Sequence, residues 1–259
     1  MPEPLVTLTI EGAVAVMTLD RPQKLNSLTQ EMLHALAGYA QRIDDDSAIR
    51  CAILTATGDK AFCVGADINA WSALTPLDMW RRWTRHGHRV FDQLARLRVP
   101  LIAAINGHAL GGGLELAATA DIRVADPHAQ FGLPEAGIGT VPGWSGTQRI
   151  TKLIGAGNVK YMALTGRRMS SDDALRVGLI QQIAEPGTVL AAAQAIAADV
   201  CRLAPVSVQL VKQLIDGADG DGLAGAFEGM AGALAGMTQD AAEGLASFRE
   251  KRAARFQGK

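Results

Sequence analysis

Strand-like segments paired ahead of helices, followed by a nearly all-helical C-terminal part, predict an α/β fold built from repeating ββα units. Three observations carry this. Residues 5–19 alternate apolar and polar. Residues 49–55 and 101–105 are short apolar runs, each ended by turn residues. From residue 143 onward the apolar spacing is mostly that of helices.

Taken in order, Leu5, Thr7 and Thr9 alternate with Val6, Leu8 and Ile10, and Val14 and Val16 resume the pattern after Glu11-Gly12. This is a strand pair turning at Glu11-Gly12, and Asp20-Arg21-Pro22 stops its second strand. Ser27 and Gln30 have capping-box spacing and open a helix that runs to about residue 43. Residues 49–55 form the next strand, with its turn at Thr57-Gly58-Asp59-Lys60. The tryptophan- and arginine-rich residues 69–98 read as helices. A strand–glycine–helix unit follows over 101–120, then short strands at 122–125 and 129–132. Beyond residue 143, a short strand near 179–184 interrupts the helices. Helices over 188–203 and 205–217 part at Ala204-Pro205, because proline disfavours helix at the residue before it. The Gly/Ala-rich 217–236 is a weak helix alone, and the last helix spans about 238–256. The expected division lies near 195–205, with a core over 1–198 and a helical region over 199–259.

Composition narrows the class. The 259 residues carry a net charge of -1, which argues against a general nucleic-acid or membrane-surface binder. Cys51, Cys63 and Cys201 are widely spaced, without a CxxC pair, as suits a reducing compartment rather than a disulfide framework or zinc knuckle. Met1-Pro2-Glu3-Pro4 opens no signal-peptide pattern, and the apolar stretch 99–122 is broken by Asn106, His108, Glu115 and glycines. The expectation is a cytoplasmic protein. His34 lies on an amphipathic helix, and His86 and His88 stand at i,i+2, facing different ways. No HExxH, GxSxG or metal-spaced Cys/His set exists, so a metal enzyme or serine hydrolase is not expected.

Four segments carry the chemistry. Residues 60–68 are a small-residue turn after a strand, able to present the Ala66 N–H to a ligand. Residues 106–116 place Gly111-Gly112-Gly113 where a strand meets a helix, leaving N–H groups bare near a helix N-terminus, with Glu115 one turn in. Donors for a developing anion beside a positioned acid or base are what enolate chemistry needs. Residues 129–139 hold a second carboxylate, Glu135, after Pro134 and among apolar and glycine residues, a setting that raises a carboxyl pKa. Residues 139–149 are glycine-rich and enter a helix like a phosphate cradle, but lack the Lys-Ser/Thr ending of a P-loop.

In this order the segments resemble the enoyl-CoA hydratase/isomerase, or crotonase, family. The resemblance begins at Leu19-Asp20-Arg21-Pro22 and Leu25-Asn26-Ser27-Leu28. It runs on through Leu164-Thr165-Gly166 and Gly178-Leu179-Ile180 to Phe248-Arg249-Glu250-Lys251-Arg252. It implies a spiral of ββα repeats with a C-terminal helical trimerisation region, and an acyl-CoA thioester substrate. The oxyanion hole would be the N–H groups of Ala66 and Gly112. Glu115 would act mainly as the water's base and Glu135 mainly as the α-carbon's acid, with the Gly143 N–H helping to hold the water. Lys24, Val64, Ala66, Asp67 and Ile68 would bind the CoA end. Phe248 and Lys251 would join them across a subunit boundary in a trimer or dimer of trimers. No metal or other cofactor is implied, coenzyme A being part of the substrate.

Both acidic positions are filled, which favours reversible hydration of a trans-2-enoyl-CoA over a Δ3-Δ2-enoyl-CoA isomerase working through Glu135 alone or another crotonase-type acyl-CoA lyase. A non-catalytic CoA- or RNA-binding scaffold is the alternative from another class. Trp144-Ser145 departs from the small residues common after the proline–glycine pair. Trp144 is expected to line the acyl pocket or to pack outward into the core, and Trp71, with Trp80 and Trp83 in the stretch 69–85, to line that pocket or to pack its helix into its neighbours. Aromatic walls of this kind suit short, branched or aromatic acyl groups.

Overall fold

The computed structural model describes residues 4–217 and 224–259, with no side-chain description for 224–229. Residues 1–3, and residues 218–223 of the expected 217–236 helix, lie outside the described residues.

The chain runs β1 (Val6–Glu11), β2 (Val14–Leu19), α1 (Gln30–Asp45), β3 (Cys51–Ala56) and β4 (Ala61–Cys63). Next come α2 (Ile68–Ser72), a helical turn α3 (Pro76–Asp78), a π-helix (Met79–Thr84) and α4 (Arg85–Ala95). Then follow β5 (Leu101–Ile105), β6 (His108–Leu110), α5 (Gly112–Ala117), β7 (Ile122–Ala125) and β8 (Gln130–Gly132). The remainder is α6 (Gly146–Thr165), β9 (Met169–Ser170), α7 (Ser171–Arg176), β10 (Gln182–Ile183), α8 (Val189–Cys201), α9 (Pro205–Asp216), α10 (Ala224–Gly236) and α11 (Gln239–Glu250).

Two sheets result, ordered β1-β2-β3-β5-β7-β10 and β4-β6-β8-β9. The pairs β3/β4, β5/β6 and β7/β8 each put one strand in the larger sheet and the next in the smaller. Helices intervene before the chain returns, which is the ββα spiral the sequence predicts. Among the described residues, only β1/β2 and β8/β9 pair antiparallel. All six residues of β3 are buried because both faces of the larger sheet are covered. Cys51 and Ile53 meet Ala193 and Ala197 of α8, while Ala52 and Leu54 join the main core with Leu33 and Leu36 of α1.

The helix starts differ from expectation in one place. Thr29, not Ser27, caps α1, its hydroxyl accepting the Met32 N–H at 3.2 Å. Ser27 is buried, and its Oγ accepts from the Arg21 guanidinium at 3.0 Å.

The C-terminal helices are tied to the spiral by partly buried polar bonds. Lys212 of α9 donates to Asp121, to Asp216 at 3.1 Å and to the Ala95 carbonyl at 3.2 Å. Arg50 reaches the carbonyls of Cys201 and Phe256. Among the described residues no single helix is long and apolar enough to cross a membrane.

Candidate active site

The site forms where the smaller sheet hands its strands to helices. After β4, Gly65 turns with φ +100°, a backbone open to glycine at little cost. Its carbonyl accepts the Leu28 N–H at 2.8 Å, and the Leu28 carbonyl accepts the Asp67 N–H at 2.9 Å. Ala66, between these bonds, directs its own N–H to the opposite side by the alternation of a strand.

After β6, each of the three glycines has its own cause. Gly111 takes φ +53° and ψ −128°, and a Cβ on it would sit 3.0 Å from Glu135 Oε1. A Cβ on Gly112 would come within 2.8 Å of the Trp144 ring, and one on Gly113 within 2.0 Å of the Cys63 carbonyl oxygen. The approach of Gly113 to Cys63 draws the start of α5 against the Gly65 turn. A Cβ on Gly65 would lie 3.0 Å from the Gly112 nitrogen. Gly112 opens α5, so its N–H has no acceptor within the helix.

Glu115 is 2% exposed. Its Oε1 accepts the N–H groups of Trp144 at 2.9 Å and Gly146 at 2.7 Å. The glycine-rich turn read as a possible phosphate cradle thus holds the protein's own carboxylate. Burial raises the Glu115 pKa, opposed by the amides of Gly146, Trp144 and Gly143 and by the Arg149 charge. Glu135, 9% exposed, is the less solvated acid in hydrogen-bonding terms, since its Oε2 is buried with no partner. Burial, with a smaller push from the Glu115 charge, raises its pKa to about 7 against the lowering effect of its own N–H. The two carboxyls therefore differ. Glu115 has the donors that stabilise an anion, and Glu135 has the setting of a neutral acid.

One cavity of about 580 Å³ receives Val64, Ala66, Ile68, Trp71, Gly112, Glu115, Glu135, Gly143 and Trp144 together. Lys24 is exposed and is not among the lining residues; it lies in the turn whose Leu25 carbonyl accepts the Val64 N–H at 3.2 Å. The Asp67 side chain, named for the CoA end, is engaged elsewhere. Its carboxylate is bound to Arg21 at 2.6 Å and caps α2 through the Asn69 N–H at 2.9 Å, so it braces the turn and does not line the cavity. Phe248, 83% exposed, and Lys251, just past α11, also lie off the cavity of their own chain.

Nothing in the sequence singles out Met79, Thr140 or Val141, which also line the cavity. Nor does it reveal the support behind the Glu115 cradle. Arg149 pairs with Asp92 and donates to the Trp144 carbonyl, and Ser145 Oγ lies 3.0 Å from the His88 ring. Arg149 stands at the end of the fourth segment, but its partner is on α4. Among the described residues, no group of three or more His, Cys, Asp or Glu side chains is placed to hold a metal ion.

The enoyl-CoA hydratase/isomerase family matches the chain over residues 9–259, and the protein belongs to that family. It is 40% identical over 95% of both chains to a short-chain-enoyl-CoA hydratase of Clostridium acetobutylicum. It is 36% identical over 97% of both chains to a crotonyl-CoA hydratase of Syntrophomonas wolfei. The crystal structure of an enoyl-CoA hydratase from Bacillus anthracis superimposes with a TM-score of 0.94 at 32% identity, covering 98% of this chain and 100% of that one.

Proposed function

We propose that the protein is an enoyl-CoA hydratase, adding water reversibly to a trans-2-enoyl-CoA thioester to give the 3-hydroxyacyl-CoA. The observation that carries this is the pair of unlike buried carboxyls, Glu115 and Glu135, lining one cavity with the Ala66 and Gly112 amides. In this reading the thioester oxygen accepts both N–H groups, which stabilise the negative charge that develops as the β-carbon is attacked. Glu115, ionised, takes a proton from the water through Oε2, because Oε1 is held by Trp144 and Gly146. The Gly143 N–H, which also acts on Glu115, helps to hold that water. The water oxygen bonds to the β-carbon, and Glu135 gives its proton to the α-carbon. The reverse reaction exchanges the roles, and solvent restores both groups.

For the CoA end, the cavity residues Val64 and Ile68, with Lys24 from the adjoining turn, serve as the chain's own contacts. Phe248 and Lys251 serve only if another copy brings them to the cavity, which a trimer or dimer of trimers provides. The reaction as written calls for no cofactor beyond the coenzyme A of the substrate. Its place in the cell is taken as the cytoplasm, in keeping with the three unpaired cysteines.

The test is to mix purified protein with crotonyl-CoA and follow the enoyl-thioester absorbance, with mass analysis of the product. The expected product has gained one water. Unchanged crotonyl-CoA, with a 3-enoyl-CoA converted instead to the 2-enoyl isomer, would replace hydration with isomerisation.

A further inference from the structure

All four tryptophans of the chain, Trp71, Trp80, Trp83 and Trp144, line the one cavity. Trp83 and Trp144 also belong to the main core and offer little surface to the cavity, whereas Trp71 is half-buried and Trp80 exposed.

Two of them form a fixed end wall. Trp83 and Trp144 are 2% and 3% exposed, with ring centroids 5.7 Å apart and planes inclined by 38°. Phe91 closes behind Trp144 edge-on at 5.1 Å. Glycines flank the Trp144 indole. A Cβ on Gly87 would lie 2.2 Å from its Nε1, and one on Gly112 would lie 2.8 Å from its Cζ3. A ring held on these sides cannot swing aside to admit a longer chain. Trp80 differs. It is 56% exposed, with the Arg85 guanidinium 6.0 Å from its ring centroid, and it presents an indole to the cavity from the solvent side.

A flexible alkyl chain gains from any apolar wall in proportion to buried area and loses rotamer freedom against a rigid one. A flat ring loses little freedom, and it gains edge-to-face or offset contacts with indoles beyond its area. We propose, on the hydratase reading, that the acyl group this cavity selects carries an aromatic ring on its β-carbon. The substrate class is then a 3-aryl-2-enoyl thioester, with the ring seated against the half-buried Trp71 and the exposed Trp80, in front of the buried end wall.

The test separates recognition from chemistry by using saturated thioesters, which cannot be hydrated. Calorimetric titration compares 3-phenylpropanoyl-CoA with nonanoyl-CoA, which have the same number of acyl carbons. Hydrophobic area alone favours the straight chain, so the expected order is diagnostic. The aryl thioester should bind at least about tenfold more tightly. Trp80→Leu, a change at a half-exposed side chain that leaves the core closed, should cut that preference at least about fivefold. Equal or tighter binding of nonanoyl-CoA would overturn the proposal, and so would a preference untouched by Trp80→Leu. Hydration of crotonyl-CoA is assayed on the same samples. Its absence would sink the hydratase reading, whereas hydration without the aryl preference would sink this proposal alone.

Discussion

At the scale of single residues, the two glutamates are unlike because their donors are unlike. Glu115 receives backbone N–H groups, while one oxygen of Glu135 has no partner. Raising a carboxyl from its ordinary 4.5 to about 7 on folding has a cost whose sign is fixed. Between those pH values the native state binds a proton that the unfolded chain has released, so stability falls as pH rises. The full penalty, at most about 3 kcal/mol, is present above pH 7 and absent below 4.5. Glu135→Gln should therefore stabilise the protein at pH 8 and change little at pH 4.5, as read by urea unfolding at both. The same proton sets the rate. Hydration kcat/KM should decline above about pH 7 as Glu135 ionises, and Glu135→Gln should abolish that limb along with most activity. Both acids were legible in the sequence from their glycine and apolar neighbours. The bond that engages the Asp67 carboxylate was not, because its partner Arg21 lies 46 positions away.

At the scale of elements, the start of α5 depends on how closely its backbone approaches that of β4. Gly113→Ala should destabilise the fold by about 3 kcal/mol or more, since its Cβ would meet a backbone carbonyl that cannot rotate away. Gly137→Ala, whose Cβ meets nothing within 4 Å, is the control and should stay within about 0.5 kcal/mol. Comparing their urea midpoints checks both. The strand pair at the N-terminus, the strand–glycine–helix unit and the break at Pro205 were all readable, because period, glycine and proline act locally. The π-helix over Met79–Thr84 was not, since its apolar spacing does not separate it from an α-helix. The cap of α1 shifted to Thr29 for a tertiary reason, the capture of Ser27 by Arg21.

At the scale of the whole molecule, the spiral and the helical layer are joined through charged groups hidden between them. Lys212 is buried with Asp121, whose pKa is raised by desolvation and held down by that same lysine. Lys212→Met should destabilise by about 2 kcal/mol at pH 7, the usual loss for a buried pair being reduced because Asp121 keeps some contact with water. The loss should shrink as the pH is lowered and Asp121, its pKa raised by burial, takes up a proton, and unfolding curves at neutral and acid pH measure it. The parts of the site that only the assembled fold reveals, such as Arg149 and Asp92 behind the Glu115 cradle, join elements far apart in the chain. The direct test of two-acid hydration is kcat/KM for crotonyl-CoA in the wild type, Glu115→Gln and Glu135→Gln. Each substitution is expected to cost at least about 10²-fold. A Glu115→Gln protein that keeps most of its hydration rate would contradict the division of labour between the two carboxyls.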